Sequence, residues 1–194
     1  METGIIHLEE LYHYIRQNRD IPHRTNDKNV YRPFKALIEK AVTNIPKKTG
    51  WYYWVDFGAV VRPVYIGKSD SSTTWNLYTR IEEELSEEYV ALWATVHNEQ
   101  EMLETFSRKY NNKYDNNHKR ALKKRGVTHI LWVSVSNALD NHEIKSIEDK
   151  LIETFQPIAN AKRNSATVGN IELFDKVKGQ FTALIQTLVV QKGK

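Results

Sequence analysis

Residues 51–66 hold the densest run of strand-forming side chains in this 194-residue chain. Trp51-Tyr52-Tyr53-Trp54-Val55-Asp56 is followed by Val60-Val61 and Val64-Tyr65-Ile66, with Phe57-Gly58-Ala59 between them as a turn or bulge. The pattern predicts an antiparallel pair. A third strand is predicted over 129–136. A sheet this small needs helices to cover it. The predicted fold is α/β (α+β), with a central sheet of about three strands flanked by helices.

Helical periodicity supplies those helices. Ile6, Leu8, Leu11, Tyr12 and Ile15 share a face over 6–17. Phe34, Leu37, Ile38, Ala41, Val42 and Ile45 form a stripe over 33–45, which Pro46 and Gly50 break. Asn76 reads as the N-cap of a helix running to about Leu85. Residues 86–126 read as a long helical insertion with Met102, Leu103, Phe106 and Tyr110 on one face, ended by Gly126. Helices over 142–155 and 171–190 complete the chain. The expected organisation is a single domain over 1–194: a helical N-terminal extension (1–47), a core (48–160) and a C-terminal helix (161–194).

Composition limits the function classes. There are no cysteines, so disulfides and cysteine-rich zinc sites are ruled out, which suits a cytoplasmic protein. No run of about 18 apolar residues is present, so no membrane span is expected. The acidic start Met1-Glu2-Thr3-Gly4-Ile5 does not read as a signal peptide. A net charge of +4 permits an anionic partner without requiring one. Charge is concentrated between Arg108 and Arg125, where Arg108, Lys109, Lys113, Lys119, Arg120, Lys123, Lys124 and Arg125 face the single acid Asp115. Interleaved with Tyr110, Tyr114 and His118, this run is read as a contact for the DNA backbone, against the alternative of a solvated face. The histidines show no metal spacing, and no phosphate-binding glycine loop or Ser/His/Asp pattern is present.

Glu148 carries the strongest chemical argument. Ile144, Ile147, Leu151 and Phe155 form the apolar stripe of its helix, and Glu148 falls inside that stripe. A carboxylate facing a core needs a cation or a metal, or else a route to water at the stripe's edge. Arg80 offers a guanidinium that either grips a phosphate or pairs with Glu84 four residues on. Tyr52 and Tyr65 are packing aromatics unless a nearby charge recruits their hydroxyls, and Tyr53 points to the opposite face from Tyr52. Lys68 is a phosphate contact, an aid to lowering a tyrosine pKa, or a solvated lysine. Asn160 is a brace or a loop residue satisfying local backbone.

The order Gly50-Trp51-Tyr52, Tyr65-Ile66-Gly67, helical Arg80, helical Glu148 and Asn160 resembles the GIY-YIG nuclease family over roughly 48–160. The resemblance implies a divalent-metal-dependent DNA endonuclease using Mg²⁺ or Mn²⁺, with Glu148 as metal ligand. It implies Arg80 as phosphate stabiliser, Tyr52 taking or relaying the proton of the attacking water, Tyr65 orienting it, and Asn160 bracing the site. Lack of an extra module suits a type II restriction enzyme on double-stranded DNA. A repair or mobile-element nuclease and an inactive DNA-binding module are the alternatives. Cutting both strands requires a homodimer or two visits. The sequence departs from the family in four ways: Trp51 replaces isoleucine, the Tyr65–Arg80 gap is long, the insertion over 86–126 is larger than a minimal core needs, and Glu84 stands where histidine or tyrosine is common, there either to neutralise Arg80 or to support a metal.

Overall fold

A computed structural model describes residues 1–18, 28–69, 74–87, 92, 95–96, 122–136, 139–161 and 166–192. Among these, one four-stranded antiparallel sheet lies between two layers of helices. The strands are β1 (Glu2–His7), β2 (Thr49–Phe57), β3 (Val61–Lys68) and β4 (His129–Val135), in the order β1-β4-β2-β3. The helices are α1 (Glu9–Gln17), α2 (Lys28–Val42), α3 (Leu77–Glu87), α4 (Asn141–Phe155) and α5 (Ile171–Lys192).

The expected β2–β3 hairpin forms. Its register shifts between Trp54 and Val55, where Trp54 faces Tyr65 but Val55 faces Pro63, so Val64 is a bulged extra residue. Proline tolerates that position because it has no N–H to contribute to the ladder.

Alternation along the strands then divides the core. Tyr52, Trp54, Tyr65, Ile130 and Trp132 face α1, α2 and α3, while Trp51, Tyr53, Val55, Ile66, Leu131 and Val133 face α4 and α5. Burying aromatics of this size contributes about 2–3 kcal/mol each. None of the described helices is long and apolar enough to cross a membrane.

Three expectations are corrected. The sheet has four strands rather than three. Residues 2–7 are an edge strand of the sheet, so the N-terminal segment 1–47 is not wholly helical, and the first helix begins at Glu9 rather than residue 6. Ile6 and Leu8 fit a helical face and a strand face equally well, and the partner that decides between them is β4. Gly4 fixes the choice: a β-carbon there would lie 2.5 Å from the Trp132 ring, which crosses β1 at that point. The second helix starts at Lys28 and encloses Pro33. Most of the expected helical insertion lies outside the described residues, including Met102, Leu103, Phe106 and Tyr110.

Candidate functional site

Tyr52 is fully buried on the α3 side of β2. Space for its ring comes from the neighbouring strand. Gly67 is its register partner, and any β-carbon at 67 would lie 2.3 Å from both the ring Cζ and the hydroxyl. Its hydroxyl donates to Glu84 Oε1 at 2.9 Å.

Helix α3 is set over this spot by its N-terminus. Asn76 Oδ1 accepts from Thr79 N–H at 3.1 Å, and Leu77 N–H donates to the Lys48 carbonyl at 2.8 Å. One turn in, Arg80 Nη2 donates to Glu84 Oε1 at 2.6 Å and Nη1 to Glu83 Oε2 at 2.9 Å. The remaining Glu84 oxygen accepts from Lys124 Nζ at 2.7 Å. Lys124 is completely buried, 3.7 Å from the Tyr65 ring centroid and 4.9 Å from that of Trp54. The Tyr52 and Tyr65 rings lie 6.2 Å apart.

Burial alone would raise the Glu84 pKa. Lys124 first and Arg80 second outweigh it, helped by the hydrogen bonds from Lys124 and Tyr52, and hold the carboxyl below its ordinary value. Tyr52 moves the other way: burial, then the Glu84 charge, pushes it well above 10.0. At neutral pH Tyr52 is a neutral phenol whose proton is committed to Glu84. It can position a neighbour but has no stored base strength.

The other sequence-selected residues lie around strand β3. Asn160 clamps it from the edge: Oδ1 accepts from Ile66 N–H and Nδ2 donates to the Ile66 carbonyl, both at 2.8 Å. Ala159 N–H donates to the Val64 carbonyl at 2.9 Å, so 158–160 lines the strand that carries Tyr65. Lys68 pairs in register with Trp51, on the α4 and α5 face. It therefore does not adjoin Tyr52, and an influence on that tyrosine is not supported.

Glu148 is half-buried on α4, which packs against β3 on this same second face. The selected residues thus divide between the two sides of the outer strand. Tyr52, Tyr65 and Arg80 lie on one side, Lys68 and Glu148 on the other, with Asn160 at the edge. Tyr53 lies on the second face, against Phe155 at 5.1 Å and Phe181 at 5.7 Å, so Tyr52 is the tyrosine that meets Arg80.

Neither family models, curated proteins nor solved structures give a significant match to this chain.

A divalent cation fits some of these residues and not others. Both Glu84 oxygens are occupied by donors, so Glu84 pairs with Arg80 rather than supporting a metal. No group of three His, Asp or Glu side chains clusters among the described residues. Glu148 remains the carboxylate whose chemistry suits a hard cation completed by water and phosphate oxygens.

The basic run requires one correction. Lys124 is a core residue and cannot be part of a DNA-facing surface. Lys123 and Arg125 are exposed, while Arg108, Lys109, Lys113, Lys119 and Arg120 lie outside the described residues. Nothing in the sequence separates Lys124 from Lys123. Gly126, at φ 83, ends the turn that follows them.

Proposed function

We propose that this chain is a divalent-metal-dependent DNA endonuclease of the GIY-YIG kind, acting on double-stranded DNA. The observation that carries the reading is the meeting of Tyr52, Tyr65 and Arg80 at the β2–β3–α3 junction, with Asn160 gripping the strand between Tyr65 and Gly67. Arg80 binds a phosphate oxygen and neutralises charge developing on it. Tyr52 orients rather than deprotonates the nucleophile, because its own proton is held by Glu84. A magnesium ion at Glu148 would supply Lewis-acid charge to the phosphate and acidify bound water. The exposed cations Lys123 and Arg125 extend the contact along the DNA backbone.

A second reading is a DNA-binding module without chemistry. It is favoured by the complete burial of Tyr52 and by the two carboxylates already holding Arg80.

Supercoiled plasmid incubated with Mg²⁺ or Mn²⁺ separates the two, with Glu148→Gln as control. A fixed set of bands lost in the variant supports a sequence-specific enzyme. Nicking or smearing lost in the variant supports a structure-specific one. DNA binding with no cutting by either protein leaves the binding module. Cutting by Glu148→Gln within about tenfold of wild type, a gap of 1.4 kcal/mol in barrier, removes Glu148 from the site.

A further inference from the structure

Glu84 collects three donors on two oxygens. Its side chain is 2% exposed, and that of its partner Lys124 is 0% exposed. Lys124 reaches it across a separation of 40 residues, from the far end of the segment that follows α3. Its ammonium also lies against the Tyr65 and Trp54 rings, so the cation is bounded by one carboxylate and two aromatic faces.

A buried ion pair that serves stability alone is replaceable by apolar side chains at little cost. This one has a further connection, because the same carboxylate holds Tyr52 and Arg80. Without Lys124, Glu84 would be a desolvated anion with Arg80 as its cationic neighbour among the described residues, and the guanidinium would be tied to it. With Lys124 in place, the trio Glu84, Arg80 and Lys124 carries one positive charge in excess. Arg80, 30% exposed, can then turn toward an incoming anion while Lys124 still neutralises Glu84. Glu83, the other partner of Arg80, is 25% exposed and is readily resolvated when it lets go.

We propose that Lys124 is a positioning residue: by fixing Glu84 as a carboxylate it holds the Tyr52 hydroxyl in place and frees Arg80 to exchange Glu84 for a phosphate. The consequence for cleavage rests on the nuclease reading, whereas the effects on Glu84 and on phosphate binding do not. Among the described residues, Tyr52 from β2, Arg80 from α3 and Lys124 bond Glu84, with Tyr65 from β3 against Lys124 and Glu83 from α3 against Arg80.

Three proteins test this: wild type, Lys124→Met, and the double variant Lys124→Met with Glu84→Gln, which removes both charges and stays foldable if the single variant does not. The Glu84 carboxyl, followed by ¹³C NMR, titrates at higher pH in Lys124→Met than in wild type; an unmoved midpoint overturns the proposal. Inorganic phosphate shifts the Arg80 side-chain N–H signal in wild type; binding weakens at least about tenfold in Lys124→Met, the scale seen when supporting partners of a site are lost, and recovers to near wild type in the double variant, where no Glu84 charge ties the guanidinium. Undiminished binding in folded Lys124→Met, or binding by the double variant that stays at least about tenfold weak, overturns it. Cleavage by the double variant falls about 10- to 100-fold with a changed pH profile. Full cleavage by the double variant makes Lys124 purely structural. If wild type binds phosphate at Arg80 but cuts no plasmid, the nuclease reading fails and the positioning role stands.

Discussion

Gly67 lies directly across the strand from Tyr52, and the position of its missing β-carbon is taken by the Tyr52 ring. Gly67→Ala therefore meets the ring at 2.3 Å and must displace it from Glu84. The expected cost is about 1–3 kcal/mol, the range for overpacking a filled core. Urea unfolding measures it, and combining Gly67→Ala with Tyr52→Ala should recover part of the loss relative to the sum of the single changes. Simple additivity would mean that the two positions do not compete for space.

The adjacent tyrosines should respond in opposite directions. Tyr53 is fully buried and its hydroxyl has no hydrogen-bond partner among the described residues. Tyr53→Phe removes that desolvated group and should stabilise by about 1 kcal/mol. Tyr52→Phe removes a donor from a buried carboxylate and should destabilise by about 1–3 kcal/mol. In a nuclease assay, Tyr52→Phe should lower the rate about 10- to 100-fold, the scale for losing an orienting partner, and Tyr53→Phe far less. Paired denaturation curves test the first contrast and rate constants the second; reversed signs would contradict the observed strand register.

Acid should weaken the β1–β4 end of the sheet. The His129 ring meets that of His7 edge-on at 4.7 Å. Burial, then the His7 charge, lowers the His129 pKa from 6.5 to about 4. Between those values the native state binds fewer protons than the unfolded state. Stability is thus present above the unfolded pKa and is lost as the pH falls through the folded one. His129 is only half-buried, so solvent screening limits the effect to about 1 kcal/mol. His129→Gln should flatten the fall in urea midpoint between pH 7 and pH 4, and an unchanged fall would assign that pH dependence to other groups.

The basic run should give DNA binding a steep salt dependence, but without Lys124. Each phosphate neutralised contributes about −0.9 to the slope of log K against log salt. Changing Lys119, Arg120 and Lys123 together to Ala should flatten the slope by about two to three units if most of them touch phosphate. Affinity measured across a salt series in the Glu148→Gln background tests this. An unaltered slope would move the search for a DNA surface to Arg19, His23 and Arg24.

Much of the sheet was legible because β2, β3 and β4 carry aromatic and β-branched side chains in tight succession, and α4 and α5 carry clean stripes. β1 was not legible. It is short, its apolar positions also satisfy a helix, and the residues that make it a strand are more than a hundred positions away. The bulge at Val64 has a local mark in Pro63, which points to an edge strand or a bulge without saying which. At the site, alternation established that Tyr52 and Tyr53 face opposite ways without saying which faces Arg80. The Arg80–Glu84 spacing was visible, but the third partner was not: Lys123 and Lys124 are adjacent identical residues, and only the tertiary contact of Lys124 with Glu84 distinguishes them.

The sheet order β1-β4-β2-β3 also sets a schedule for synthesis. The β2–β3 hairpin has both strands available once residue 68 has left the ribosome, but among the described residues the sheet partner of β1 is β4, Glu2 against Ser134. At a ribosomal pace of about 5–20 residues per second, the amino-terminal strand waits roughly 6–26 seconds for its partner. During that interval Ile5 and Ile6 lack Leu131 and Ile130, the neighbours they pair with in the finished sheet.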